Sequence, residues 1–126
     1  MSTKISDSFF RRGNDFLGSR VPIICGAMTW ISEPGLVSAV CNSGAFASIA
    51  GGNCPPDILE SSIEKTRSLT NAPFGVNLIT ISPAYQSQLE MLRRNPVPIV
   101  IFAGGLPRSN DIEMLKEAGS KIMCFA

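Results

Sequence analysis

The feature that most constrains this chain is a unit that repeats at nearly constant spacing. Apolar, β-prone runs begin at Pro22 (Pro-Ile-Ile-Cys), Ala45 (Ala-Phe-Ala-Ser-Ile-Ala), Phe74 (Phe-Gly-Val-Asn-Leu-Ile), Val97 (Val-Pro-Ile-Val-Ile-Phe-Ala) and Lys121 (Lys-Ile-Met-Cys-Phe-Ala), so their starts lie 23, 29, 23 and 24 residues apart. Hairpins need only about 2–5 connecting residues, whereas parallel strands need a crossover of roughly a dozen or more, usually a helix. The gaps here are of the second kind, and each reads as a loop followed by one helix: about Pro34–Cys41, Pro56–Leu69, Ala84–Arg93 and Asp111–Ala118. Ser32 is the expected N-cap of the first helix and Ser109 or Asn110 that of the fourth, with Gly119 as the stop. Acidic residues (Asp57, Asp111) gather at helix starts and basic ones (Arg93, Arg94, Lys116) at helix ends, as the helix dipole favours. Residues 1–20 form a polar N-terminal arm with a short helix near Asp7–Arg12, and residues 21–126 form the repeating α/β domain.

Parallel strands buried on both faces read as continuous apolar runs, which these are. In such a sheet every loop that follows a strand opens on one face. Those loops are Gly26-Ala-Met-Thr-Trp-Ile-Ser, Gly51-Gly-Asn-Cys-Pro-Pro, the stretch Asn77–Pro83, and Gly104-Gly-Leu-Pro. That face is where α/β proteins bind ligands. Glycine there serves either close approach of the backbone to a ligand or the turning of the chain. Five strands with four intervening helices fit two architectures, a complete doubly wound domain of flavodoxin type or part of a (β/α)8 barrel. A flavodoxin-like domain would hold a phosphate in the first strand–helix loop, with Thr29 and Ser32 as donors. A complete doubly wound domain would close with a fifth helix after the final strand, and this sequence stops on the strand; that favours the barrel.

Composition excludes several classes. Eleven basic against ten acidic side chains leave +1, so no charge excess drives nucleic-acid or membrane-surface binding. No run reaches the ~18–20 apolar residues of a membrane helix, and the N-terminus carries no secretory signal, so a reducing cytoplasm is the expected setting. Histidine is absent, which removes the commonest general base and metal ligand. The four cysteines form no Cys-x-x-Cys pair, so no metal site is expected. Cys25, Cys41 and Cys124 lie in apolar contexts and read as buried; Cys54, in a Gly-Gly-Asn-Cys-Pro-Pro loop, reads as the exposed thiol.

The run from Val21 to Phe46, Val-Pro-Ile-Ile-Cys-Gly-Ala-Met-Thr-Trp-Ile-Ser-Glu-Pro-Gly-Leu-Val-Ser-Ala-Val-Cys-Asn-Ser-Gly-Ala-Phe, resembles the opening of the nitronate monooxygenases (2-nitropropane dioxygenases). That family is related to the flavin-dependent enoyl-acyl-carrier-protein reductases. Ala50-Gly-Gly-Asn, Leu69-Thr-Asn-Ala-Pro-Phe-Gly-Val-Asn-Leu-Ile-Thr, Ala103-Gly-Gly-Leu-Pro and Ala118-Gly-Ser-Lys-Ile-Met-Cys-Phe-Ala continue the likeness in order, over about Phe16 to Ala126. The resemblance implies an FMN-binding (β/α)8 TIM barrel, truncated after about its fifth strand. It implies that Gly26, Ala27 and Met28 are the backbone segment lying against the flavin ring and that Asn77 is the amide that hydrogen-bonds the flavin. The family's reaction is oxidation of alkyl nitronates by O2 to a carbonyl compound and nitrite, on a small-molecule substrate. Its catalytic histidine follows the sixth strand, and its phosphate loops belong to the seventh and eighth. No catalytic residue is therefore assigned here, and the chain alone is expected to be inactive. An enoyl reductase fragment and a non-catalytic split product are the alternatives. Unpaired strand edges predict self-association or pairing with a complementary C-terminal half.

Overall fold

The computed structural model describes residues 3–125; Ala126, the last residue of the fifth apolar run, and residues 1 and 2 of the N-terminal arm lie outside them. Along the chain run α1 (Thr3–Leu17), β1 (Ile24–Cys25), α2 (Pro34–Asn42), β2 (Phe46–Ala50), α3 (Pro56–Leu69), β3 (Gly75–Ile79), α4 (Tyr85–Arg94), β4 (Ile99–Ala103), α5 (Ser109–Glu117) and β5 (Lys121–Cys124). The five strands form one wholly parallel sheet in the order β1-β2-β3-β4-β5. A doubly wound sheet reverses direction at its first strand; a barrel wall adds each strand beside the last. The sequential order is that of a TIM-barrel arc, and the flavodoxin-type alternative falls.

The two sides of the arc differ in what covers them. Side chains alternate along a strand. Ala47 and Ile49 of β2, Val76 and Leu78 of β3, and Val100 and Phe102 of β4 share one buried cluster with Val37 of α2, Leu59 and Ile63 of α3, Leu89 and Leu92 of α4 and Leu115 of α5. Helices α2–α5 therefore all lie on the outer face. Phe46, Ile99 and Ile101 point the other way and pack with Leu17 of α1, with Met123 of β5 beside them. Gly75 makes room for this inner cluster: a Cβ there would lie 2.9 Å from the Phe46 ring and 3.1 Å from the Ile99 carbonyl.

The expected short N-terminal helix is in fact a helix of 15 residues, and it is tied to the far end of the chain. The Lys121 ammonium donates to the carbonyls of Phe16 (2.7 Å) and Asp15 (3.2 Å), satisfying acceptors that the last turn of α1 leaves open.

Three other expectations are corrected. Glu33, not Ser32, is the N-cap of α2, because the Ser32 hydroxyl is committed to the strand-end loop described below and the helix begins at Pro34, which suits its first position. Arg108 precedes α5, so Ser109 lies within the helix and Asn110 follows it; no side chain caps this end. Cys124 is exposed rather than buried, since β5 pairs only with β4 and no following element among the described residues covers its end.

Candidate functional site

The ends of the strands and the loops after them converge on one face, and hydrogen bonds from neighbouring elements fix their shape. Gly26, Ala27 and Met28 follow directly on β1. Ser32 holds them: its hydroxyl accepts from the Met28 N–H at 2.8 Å and donates to the Gly26 carbonyl at 3.4 Å, while the Ser32 N–H returns to the Met28 carbonyl at 2.8 Å. Nothing in the chain needs a glycine at position 26, for a Cβ there would meet no atom within 4 Å. The space beside Gly26 is therefore open. Met28 is exposed.

Asn77 was expected at the start of a loop and instead lies inside β3, level with Ala50, Ile101 and, through Ile101, Met123, one layer below the top pair Ile79–Ala103. It points to the inner face and is 8% exposed. Its Nδ2 donates to the Ile101 carbonyl at 3.3 Å, which sets the amide across the gap between two strands. The Asn77 carbonyl accepts from the Gly51 N–H at 2.8 Å. That contact explains Gly51, because a Cβ there would sit 2.4 Å from the same carbonyl oxygen. The structure thus brings Asn77 and the turn after β2 together, and places Gly26–Met28 at the end of β1, two strands away.

Two buried polar residues escaped the sequence reading. Gln88 of α4 is fully buried, and its Nε2 donates to the carbonyls of Gly51 (3.0 Å) and Cys54 (2.7 Å), pinning the β2–α3 turn from outside the sheet. The readable signal was a polar residue on the stripe it shares with Tyr85, Leu89 and Leu92. Ser48 of β2 points inward with a buried hydroxyl that has no partner; nothing in the sequence marks it. Cys54 is half-buried rather than exposed, and burial, reinforced by the Asp57 carboxylate, pushes its thiol above the usual range, so it is not an activated nucleophile.

A smaller cleft of about 240 Å3 opens between the loops after β3 and β4. In its wall the Tyr85 hydroxyl donates to Asp111 Oδ2 at 2.9 Å, and the Arg108 guanidinium lies 3.5 Å from the same oxygen. Burial first, and then the hydrogen bond to Asp111, hold the Tyr85 phenol protonated far above its ordinary range. Around the loop tips Met28, Trp30, Ile31, Ile81 and Leu106 stand exposed, Trp30 at 90%, Leu106 at 80% and Ile81 at 79%, giving the face an apolar rim. No group of three or more potential metal ligands occurs among the described residues.

Residues 12–86 match the family model described as nitronate monooxygenase, a span that contains Gly26, Ala27, Met28 and Asn77. The chain belongs to the nitronate monooxygenase family. Among solved structures it resembles FabK from Thermotoga maritima, with 36% identity and a TM-score of 0.85 over 90% of this chain and 36% of that one. It also resembles a nitroalkane oxidase from Streptomyces ansochromogenes, with 27% identity and a TM-score of 0.84 over 90% of this chain and 42% of that one. A curated relative from Rhodococcus jostii, a (3aS,4S,5R,7aS)-5-hydroxy-7a-methyl-1-oxo-octahydro-1H-indene-4-carboxyl-CoA dehydrogenase, is 32% identical over 105 residues, 83% of this chain. This nitronate monooxygenase family chain spans 30% of that relative's length.

Proposed function

We propose that the chain forms the flavin-facing wall of an FMN-dependent oxidoreductase, with Gly26, Ala27 and Met28 against the flavin ring and Asn77 hydrogen-bonded to it. The observation that carries this reading is that both elements lie inside the family match and at the strand-end side of one parallel arc. The residues fit the group. Space beside Gly26 is open to a flat ring, and with Nδ2 of Asn77 fixed on Ile101, Oδ1 is left as the acceptor for a ring N–H. FMN, when bound, supplies two-electron chemistry between a small substrate and O2.

The chain's own residues bind and orient. Ser32 stiffens the segment that the ring would rest on, and Gln88 and Gly51 set the turn beside Asn77. Exposed Ile81, Leu106 and Met28 favour an apolar substrate body at the face. With no histidine anywhere in the sequence, no residue here is given the proton-handling role. The reaction of the whole protein is, on this reading, oxidation of an alkyl nitronate to a carbonyl compound and nitrite in the cytoplasm, and these residues do not turn over alone. A completing βα segment or a second copy would cover the open sheet edges.

A second reading, reduction of an enoyl group on an acyl carrier by a nicotinamide cofactor, is favoured by one observation: identity to FabK exceeds identity to the nitroalkane oxidase.

The test is an FMN titration of the chain followed by flavin fluorescence, with nitronate-dependent O2 uptake and NADH-dependent enoyl reduction assayed alongside. Weak FMN binding is expected, reduced roughly tenfold by Asn77→Leu, which removes about one charge-free hydrogen bond and its geometry, with no turnover in either assay. FMN binding that is indifferent to both Asn77→Leu and Gly26→Val sinks the assignment of the wall.

A further inference from the structure

A larger cleft of about 460 Å3 lies outside the arc, between the β1–α2 loop and α3. Ile49, an outward-pointing residue of β2, reaches its floor, and Ile58, Ser61 and Lys65 line it from one stripe of α3. Trp30 and Glu33 form the opposite wall. The volume is that of a small-molecule site, commonly about 300–1,000 Å3.

The wall is built at a cost that internal packing does not repay. Trp30 has φ +66°, a left-handed conformation that is rare for a bulky residue, and its indole is almost wholly exposed. The turn that holds it there is closed by the Ile31 and Ser32 N–H groups on the Met28 carbonyl, at 3.1 and 2.8 Å. The polar groups around it are also uncommitted. Glu33 stands at the N-cap of α2 without a capping bond. Lys65 enters no ion pair among the described residues. A flat exposed indole offers a stacking surface, a carboxylate accepts from vicinal hydroxyls, and an ammonium beside a serine hydroxyl takes a phosphate. A nucleoside phosphate presents a partner for all three groups.

We propose that this cleft binds a nucleoside phosphate, its base stacked on Trp30, its ribose hydroxyls on Glu33 and its phosphate at Lys65 and Ser61. The cleft opens between the β1–α2 and β2–α3 loops at the outer edge of the strand-end face, on the helix side of β2, whereas Asn77 points to the inner side; its occupancy requires no flavin. Trp30 is the single tryptophan of the chain, so intrinsic fluorescence reports this wall alone. Titration of the full chain with ADP is expected to quench it saturably, while adenosine needs a several-fold higher concentration and inorganic phosphate alone gives no change. Lys65→Ala is expected to raise the ADP midpoint about tenfold and leave that of adenosine where it was, in line with loss of a charge-assisted contact. Glu33→Gln raises both midpoints by a similar factor. Linear, unsaturable quenching by ADP overturns the proposal, as does an ADP midpoint indifferent to Lys65→Ala.

Discussion

The same three central strands carry two different surfaces. On the outer side, Ala47, Ile49, Val76, Leu78, Val100 and Phe102 are sealed by four helices. On the inner side, between the same residues, stand Ser48 with an orphaned hydroxyl, Gly75 with no side chain, and Asn77 with half of its amide committed. The outer set stabilises the arc throughout; the inner side pairs a small core of Phe46, Ile99 and Ile101 on Leu17 with these polar and glycine positions, which shape what lies against it. Period-two alternation lets one five-residue strand serve both purposes, with neighbours in sequence answering to different demands.

The contrast is broken most directly by Phe102→Ala. This side chain is fully buried under the helices and packs edge-on against Tyr85, with 6.2 Å between ring centroids. A loss of about 3–5 kcal/mol is expected in urea unfolding followed by circular dichroism. Gly51→Ala tests the seam between the two surfaces. Its new Cβ meets the Asn77 carbonyl, and overpacking of about 1–3 kcal/mol is expected together with weaker FMN retention.

Alkali tests the outer layer in another way. The unfolded chain releases the Tyr85 proton near its ordinary value of about 10, while the folded chain keeps it because burial, and then Asp111, oppose the phenolate. Stability is therefore full below about pH 10 and falls as pH rises beyond it. Tyr85→Phe is expected to flatten that fall in a series of unfolding midpoints against pH.

Ser48→Ala sharpens the comparison from the inner side. Its hydroxyl is buried without a partner, so removal is expected to raise stability by up to about 1 kcal/mol, the opposite sign from any outer-face truncation. The smallest effect belongs to the exposed Arg93–Glu90 pair at 3.2 Å, where Arg93→Ala should shift the midpoint by less than about 0.5 kcal/mol.

How much of this was legible follows from the same alternation. Spacing located all five strands and the four crossover helices, because burial on both sides makes Ile99–Ala103 an unbroken apolar run and leaves Phe46–Ala50 broken only by Ser48. For the same reason the runs conceal which residue faces which side, and strand order, which separates barrel from doubly wound sheet, depends on pairings that no local pattern encodes. Asn77 looked like a loop residue since an amide inside a strand is unusual; the Ile101 carbonyl that satisfies it is 24 residues away. Ser32 looked like a cap because serine before Glu-Pro commonly is one, and only the folded loop reveals the Met28 N–H that claims it. Gln88 acts across 34 and 37 positions, on two carbonyls with no side-chain signature.

The tie between Lys121 and the end of α1 joins residues 105 and 106 positions apart. The helix that precedes the arc is thus fastened by a side chain of its fifth strand. Leu17 likewise has no completed inner cluster to enter until Ile99 and Ile101 of β4 are in place. Contacts of such long range are slow to form because the intervening loop must close before they contribute. Closure of the arc and the seating of α1 are thus one event: the helix finds its full set of partners only when β4 and β5 take their places.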